Sequence, residues 1–215
     1  MNRIALIHAL AHSVAPVNQA FERLWPEARR MNLLDDSLSA DVAVTGLDQA
    51  MHQRFDRLSQ YALDCGADGI LFTCSAFGPC IQAVARQHPG VPVLRPNEAM
   101  VDEAVAAGGP LGLVASFGPT LRSMPAEFPP GFALELVLAE GALDALNAGD
   151  GARHDALVAQ AAVEASRRGC REVALVQFSL ARAARACEAA TGLRVRTTVD
   201  SAVHALRGRL GARVG

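Results

Sequence analysis

Short apolar runs alternate along this chain with longer segments in which apolar residues recur every three or four positions. The run 69–73 (GILFT) is continuous, which is typical of a central parallel strand covered on both faces. In 47–64 the apolar residues have helical spacing, and Gly66 follows, in a position where helices commonly end. The alternation continues to the C-terminus, so we predict an α/β protein with parallel sheets.

The other predicted elements follow the same rules. Ser13 is expected to be the N-cap of the first helix, Pro79 suits the first turn of another helix, and Asn97 is expected to cap the next. Further strands are predicted at 3–8, 30–34, 91–94, 111–115, 132–138, 173–176 and 193–196, and further helices at 154–168, 180–190 and 201–210.

The pattern repeats within the chain. Residues 66–74 align without gaps to 169–177, and 91–93 match 193–195, each followed by a predicted helix. We interpret this as two copies of one α/β unit of about 100 residues, a common domain size. The alternative is that any two strand–helix units look alike at this level.

The duplication predicts the domain organisation. We expect two pseudo-twofold-related α/β sandwich lobes, each with a parallel sheet, and a cleft between them. The first lobe is predicted to comprise 1–96 with about 200–215, and the second lobe 97–199. No low-complexity linker separates the halves.

Composition excludes several function classes. All 20 basic residues are arginine, so the chain has no lysine for a Schiff base or a phosphate-binding P-loop. The formal net charge is −2, which gives no reason to expect a nucleic-acid partner.

The cysteines and the N-terminus predict the compartment. The five cysteines form no CxxC pair and are not grouped with histidines at metal-ligand spacing, so we expect free thiols and no metal. Residues 1–8 resemble a strand rather than a signal peptide, and no apolar run approaches the roughly 18 residues of a membrane span. We therefore expect a cytoplasmic protein without a membrane partner, and a homodimer as the default for such enzymes.

Polar loops follow several of the predicted strands. In open α/β sheets, ligands gather at the carboxyl ends of the strands, where helix N-termini offer free N–H groups. This rule nominates five loops, which would suit a small carboxylate: 8–13, 35–37, 73–78, 116–120 and 177–179.

Cys74 is the strongest catalytic candidate. It follows an apolar strand and precedes a helix, whose dipole is expected to lower the thiol pKa. A thiolate there could exchange a proton or attack an electrophilic carbon. The alternative is a buried, inert cysteine, and the other four cysteines are interpreted as packing residues.

The segment Thr73-Cys74-Ser75 after GILF resembles the first cysteine motif of the aspartate/glutamate racemase superfamily, which includes hydantoin racemase, maleate isomerase and arylmalonate decarboxylase. Residues 113–120 resemble the hydroxyl-bearing loop that opens the second lobe, and the duplication extends the likeness over nearly the whole chain. The resemblance implies a cofactor-independent site between two lobes and carbon-acid chemistry beside a carboxylate.

The chain departs from that family at the second cysteine. Racemases of the family carry a thiol at the matching turn of the second lobe, where this chain has Gln177, or Phe178 if the alignment slips by one. Neither side chain exchanges a proton at neutral pH, so two-thiol racemisation is disfavoured. A single cysteine could instead protonate a carbanion after decarboxylation, or add to a double bond for isomerisation. The competing hypothesis is a degenerate relative that binds a small acid without turnover.

Several further residues are expected to contact the substrate, some of them through the family resemblance. Gln177 could donate its amide N–H to a carboxylate or carbonyl group. The other predicted substrate-binding residues are His8, Ser75, Ala76, Ser116, Thr120, Phe178 and Ser179. The alternatives are that the hydroxyl residues are ordinary helix caps and that His8 is a loop histidine without a chemical role. We interpret Asn32, Asp35 and Asp36 as turn formers.

Overall fold

The computed structural model describes residues 1–212, and these form two compact units. The first unit comprises Met1–Pro96 together with the C-terminal residues from Ala202, and the second is Asn97–Ser201. No helix among the described residues combines the length and the hydropathy needed to cross a membrane.

The first unit is built on a four-stranded parallel sheet with strand order β2-β1-β3-β4. Its strands are β1 (Arg3–His8), β2 (Arg29–Leu34), β3 (Gly69–Phe72) and β4 (Val93–Leu94). Its helices are α1 (Val14–Leu24), α2 (Leu38–Thr45), α3 (Gln49–Asp64) and α4 (Gly78–Gln87).

The second unit repeats this topology, with strand order β6-β5-β7-β8 and all neighbours parallel. Its strands are β5 (Leu111–Ala115), β6 (Leu134–Leu138), β7 (Glu172–Leu175) and β8 (Arg194–Thr197). Its helices are α5 (Glu98–Ala107), α6 (Gly118–Ser123), α7 (Ala142–Asn147), α8 (Gly151–Arg167) and α9 (Ala184–Thr191), and α10 (Thr198–Gly211) continues into the first unit. The predicted α/β class with two parallel sheets is confirmed.

Strand register makes the two copies comparable position by position. Ile4 of β1 pairs with Gly69 of β3, and Leu111 of β5 pairs with Glu172 of β7. Because Gly69 and Glu172 are also equivalent in the sequence alignment, the residue that matches Cys74 is Gln177.

Burial explains why the central strands carry a strong sequence signal. All residues of β3 and β5 are buried, as a strand covered on both faces requires. The edge strand β2 has no fully buried residue and therefore carries only a weak apolar pattern.

Two helices, α2 and α7, were not predicted. In α2 only Leu38 is buried, so the sequence of this helix has no apolar stripe by which to recognise it. Ser13 is the N-cap residue of α1, as predicted, but its side chain makes no capping bond, because its hydroxyl donates to the carbonyl of Leu10 instead (2.7 Å). Asn97 is likewise the N-cap residue of α5 without a side-chain capping bond.

Close packing between β5 and α8 predicts the effect of one substitution. A Cβ at Gly112 would lie 2.6 Å from Cβ of Ala165. We expect Gly112→Ala to lower the free energy of unfolding by about 2 kcal/mol, because an added methyl group in this close contact forces the backbone of the strand or the helix to shift. Gly208 in α10 has no atom within 4 Å of such a Cβ, so Gly208→Ala should instead stabilise by up to about 1 kcal/mol. Urea denaturation measures both, and equal effects would contradict the packing argument.

Candidate active site

Cys74 lies just beyond the carboxyl end of β3, in extended backbone (φ −128°, ψ 123°). A 3-10 turn at Ser75–Phe77 follows and leads into α4, so the thiol is held between a buried strand and a helix. Cys74 borders a small recess within the first unit, with room for about one water molecule. The residues that line this Cys74 recess are Ile7, His8, Ala9, Leu38, Phe55, Phe72, Cys74 and Phe77.

The pKa of Cys74 is raised, contrary to the sequence-based expectation. Burial is the larger effect, because a thiolate in these surroundings loses hydration. The backbone N–H of Ala76 donates to the sulfur and acts in the opposite direction, but it does not outweigh burial. Cys74 is therefore held as a neutral thiol at neutral pH.

This pKa direction predicts how Cys74 responds to alkylation. Iodoacetamide reacts with the thiolate, so modification of native Cys74 should begin at higher pH than modification of the same residue in urea, where its pKa is ordinary. Peptide mass mapping across pH 6 to 11 measures both profiles. A native midpoint at or below the unfolded one would contradict the burial argument.

His8 is completely buried at the end of β1, and both ring nitrogens have partners. Nε2 lies 3.0 Å from Oδ1 of Asn32, and that oxygen also accepts from Nδ2 of Asn18 (3.0 Å). Because Oδ1 can only accept, Nε2 of His8 carries the proton. Asn32 therefore lies in β2 as a partner of His8, and its interpretation as a turn former was wrong.

The other ring nitrogen accepts a hydrogen bond. Nδ1 of His8 lies 3.0 Å from the hydroxyl oxygens of both Ser13 and Thr73, which are 2.9 Å from each other. The Ser13 hydroxyl donates to the Leu10 carbonyl at 2.7 Å, whereas the Thr73 hydroxyl is 3.4 Å from the Ile7 carbonyl but 3.0 Å from Nδ1, so we assign Thr73 as the donor to Nδ1. His8 thus ties the start of the Cys74 turn to the loop after β1, and its nitrogens are not available to a substrate in this arrangement.

The buried His8 predicts a pH-dependent stability. Burial lowers the pKa of His8 below 6.5, so its contribution to the free energy of unfolding is complete above about pH 6.5. That contribution is lost as the pH falls towards the folded pKa, because the unfolded chain takes up a proton first. The stability difference between the wild type and His8→Gln should therefore shrink from pH 7.5 to 5, measured by urea denaturation. His204→Gln, at an exposed position, is the control, and a difference that is constant with pH would contradict this prediction.

Gln177 occupies the matching turn of the second unit. It has extended backbone like Cys74 (φ −138°, ψ 142°). Its Oε1 accepts from the backbone N–H of Ser116 (2.7 Å) and from the Ser116 hydroxyl (3.1 Å). The side-chain oxygen is thus committed within the unit, and the amide Nε2 is the group oriented away from these contacts. Ser116 and Gln177, both selected from the sequence, lie together.

The remaining predicted contacts differ in exposure. Ser75, Thr120 and Ser179 are half-buried, and Ala76 is exposed. Phe178 is only 3% exposed, so its side chain belongs to the core of the second unit. The strand register assigns the position that matches Cys74 to Gln177 and not to Phe178.

Arg54 is a prominent polar residue near the recess that was not predicted from the sequence. Its guanidinium on α3 contacts Asp35, Ser37 and Asp41, with Nε donating to Oδ2 of Asp35 at 2.6 Å. We call these four residues the Arg54 cluster. Asp35 and Ser37 precede α2 and Asp41 lies within it, so the cluster connects α2 to α3. Nothing in the helical sequence pattern distinguishes Arg54 from the other arginines of the chain, so its role could not be predicted.

Three of the other four cysteines are packing residues, and Cys65 is half-buried. Cys80, Cys170 and Cys187 are buried, and burial raises the pKa of Cys187 to about 12. Within residues 1–212 no group of three or more His, Cys, Asp or Glu side chains is arranged to hold a metal ion.

Comparison with known proteins identifies the fold. The chain matches no protein-family model and no curated protein sequence. Among solved structures it is similar to allantoin racemase from Klebsiella pneumoniae, with a TM-score of 0.73 and 16% identity over 99% of this chain and 89% of that one. The chain has the racemase fold.

Two further structures with the racemase fold match equally well. Aspartate racemase from Picrophilus torridus has a TM-score of 0.73 and 10% identity, covering 98% of this chain and 95% of that one. Glutamate racemase from Thermus thermophilus, solved with beta-chloro-D-alanine, has a TM-score of 0.73 and 18% identity over 99% and 81%. At these identities the likeness establishes the racemase fold, and the reaction has to be argued from the site.

Proposed function

We propose that this protein is a cofactor-independent isomerase or lyase that acts on a small carboxylate, with Cys74 as its acid/base group. The observation that carries the proposal is the placement of Cys74, whose thiol borders a recess at the carboxyl end of a buried central strand. Gln177 occupies the position in the second unit that is equivalent to Cys74. Its amide cannot act as the second proton-transfer group that two-base racemisation requires. The racemase fold supports carbon-acid chemistry, and the lone thiol argues against two-base racemisation.

The raised pKa of Cys74 suits it to donating a proton. In the lyase reaction, one carboxyl group leaves as CO₂ and its electron pair moves into the remaining carboxylate as an enediolate. The Cys74 S–H then protonates the carbon, and the resulting thiolate takes a proton from water. The Ala76 N–H that donates to the sulfur stabilises this transient thiolate.

The isomerase reaction uses the same residue differently. A Cys74 thiolate adds to a double bond beside the carboxylate, the single bond rotates, and the thiolate leaves again. This route needs the thiolate at the start, which burial disfavours. Proton donation is therefore the favoured role.

Within each unit, polar groups of the turns are the proposed donors to a carboxylate. In the first unit, the Ser75 hydroxyl and the backbone N–H groups of Ser75 and Ala76 are the proposed donors. In the second unit, the Gln177 amide is the proposed donor, since its oxygen is already held by Ser116. Thr120 and Ser179 supply further hydroxyls, whereas the Ser116 hydroxyl already donates to Gln177 Oε1. We assign His8 the role of a positioning residue.

The proposal is tested by turnover in deuterated water. The protein is incubated with 2-methylmalonate and with maleate as probes of the lyase and isomerase reactions, and NMR follows the products. We expect one deuterium at the α-carbon of propionate for the lyase. Aspartate, glutamate and hydantoins should exchange little deuterium, and rapid exchange would show that another group serves the second face.

A catalytically degenerate protein that binds a small acid without turnover is the second candidate. Gln177 favours it, because loss of a second proton-transfer group is what a retired racemase would show. Saturable binding of the probes with no product for any of them would support this candidate over an enzyme.

All five cysteines are free thiols, which supports the proposed cytoplasmic location.

A further inference from the structure

Each unit exposes two large apolar side chains at the carboxyl ends of its strands. Eight large apolar residues are exposed within residues 1–212, and four of them lie at these strand ends. In the first unit they are Leu10 (49% exposed) and Leu34 (48%), and in the second unit they are Phe117 (48%) and Leu138 (39%). We call these two sets the apolar pairs.

Strand register shows that the two apolar pairs are equivalent. Leu34 ends β2 and pairs with the last residue of β1, and Leu138 ends β6 and pairs with the last residue of β5. Leu10 and Phe117 each lie two residues beyond those strands, in extended backbone (φ −141°, ψ 133° and φ −129°, ψ 115°). Their carbonyls accept from the backbone N–H three residues later, at 3.2 Å and 3.1 Å. The same exposed arrangement therefore occurs twice in the chain.

Folding alone does not favour these residues at these positions. Leu10 and Phe117 precede the next helical turn of their unit, and neither makes a side-chain capping bond. Serine, threonine, aspartate and asparagine are preferred there, because their side chains accept from a free N–H of the turn. An exposed leucine or phenylalanine also keeps apolar surface in water. A local cost that recurs at equivalent positions is typical of a functional surface.

The apolar pair of the second unit lies beside the proposed carboxylate donor. Phe117 follows Ser116, whose N–H and hydroxyl both donate to Gln177 Oε1 (2.7 Å and 3.1 Å). Ser116 in turn follows Ala115, the residue with which Leu138 pairs. Apolar side chains next to a few oriented polar groups suit a molecule with a carboxylate at one end and hydrocarbon at the other.

The apolar pair of the first unit lies at the strand ends that carry the Cys74 turn. Leu34 pairs with His8, and Leu10 lies two residues beyond His8. The ring of His8 accepts at Nδ1 from the hydroxyl of Thr73 (3.0 Å), which directly precedes Cys74. The pair and the thiol therefore lie at the same edge of the sheet.

We infer that the apolar pairs bind the hydrocarbon part of the substrate, which is a carboxylate with an apolar substituent. This inference rests on the proposed function and narrows its substrate class. An alkyl or aryl group on either pair removes apolar surface of both molecules from water. A second charged group there loses hydration without gaining a partner from leucine or phenylalanine side chains. Substrates with a charged substituent are therefore disfavoured.

Two ring acids of nearly equal shape test the inference. Cyclohexanecarboxylate and tetrahydropyran-4-carboxylate differ by the exchange of one ring CH₂ for an ether oxygen, and isothermal titration calorimetry measures the dissociation constant of each. We expect cyclohexanecarboxylate to bind at least about fivefold more tightly, because the ether oxygen loses hydrogen bonds to water at an apolar surface. Equal affinity, tighter binding of the ether, or no binding of either acid would overturn the inference.

Serine variants assign the preference to particular residues. Leu10→Ser and Phe117→Ser should each lower the ratio of the two dissociation constants by at least about twofold, because each removes apolar surface. Both variants supply a side chain suited to capping the next turn, so their urea midpoints should not fall below that of the wild type. Val44→Ser and Tyr61→Ser, which change exposed residues of α2 and α3, should leave the ratio unchanged.

Each variant result decides one part of the inference. A ratio that Leu10→Ser or Phe117→Ser leaves unchanged would overturn the assignment for that unit. An equal fall in the ratio for Val44→Ser and Tyr61→Ser would overturn it for both units. A dimer that the Leu10 and Phe117 variants dissociate in sedimentation experiments, with the ratio unchanged, would assign the pairs to contact with a second copy of the chain instead.

Binding and turnover fail independently. The calorimetric preference needs only a bound acid, whereas the proposed function requires product. A preference for cyclohexanecarboxylate without product from 2-methylmalonate or maleate would retain the apolar binding surface and remove the enzyme. Product formation without that preference would retain the enzyme and overturn the inference.

Discussion

Cys74→Ala should lower turnover of whichever probe proves to be a substrate by at least about 100-fold, since a positioned proton donor contributes about 10²–10⁴ to rate. The turnover of Cys74→Ser should fall nearly as far, because a serine hydroxyl is a far weaker acid than a thiol although the two side chains have similar size. Steady-state kinetics by NMR measures the loss, and a solvent deuterium isotope effect on wild-type turnover reports the proton-donating step.

The matched control for Cys74 is Cys65→Ser, which alters a half-buried cysteine at the end of α3 outside the recess. Its turnover should stay within about twofold of wild type, because surface substitutions rarely disturb a distant site. Full activity of Cys74→Ala would remove Cys74 from the reaction.

Much of the fold was predictable because the strongest sequence signals come from burial on both faces. The apolar run 69–73 is sufficient to identify β3, and its alignment with 172–176 is sufficient to identify β7. Parallel sheets built on such strands place their turns predictably, so Cys74 and Gln177 were assigned to equivalent positions correctly. Helix α2 was missed because a helix with one buried residue leaves no periodic pattern.

The surroundings of Cys74 were less predictable, because they depend on contacts between residues distant in sequence. His8 meets Asn32 and Thr73 only after the three strands have paired, and no local pattern encodes that contact. The direction of the Cys74 pKa was mispredicted for a related reason. The helix position argues for a lower pKa, but the packing of Cys74 against the core of the first unit determines how much hydration the thiol loses.

Arg196 is a second example of a residue whose role depends on distant partners. It lies in β8 with its side chain 5% exposed, and its Nε donates to Glu172 Oε2 on β7 at 2.6 Å. Its Nη1 lies 3.1 Å from Glu103 Oε2 on α5, and that oxygen also accepts from the Ser201 hydroxyl at 2.9 Å. One buried cation thus joins two strands and two helices.

Arg196→Met should lower the free energy of unfolding by about 3 kcal/mol, at the lower end of the roughly 3–5 kcal/mol for breaking a buried pair. The discount arises because Glu172 and Glu103 keep 20% and 39% of their side chains exposed and can recover some hydration. Adding Glu172→Gln should restore part of the loss by removing an unpaired charge. Urea denaturation of both variants measures this, with the exposed Arg194→Met of the same strand as control. A loss for Arg196→Met no larger than for Arg194→Met would show that the buried pairs do not stabilise the second unit.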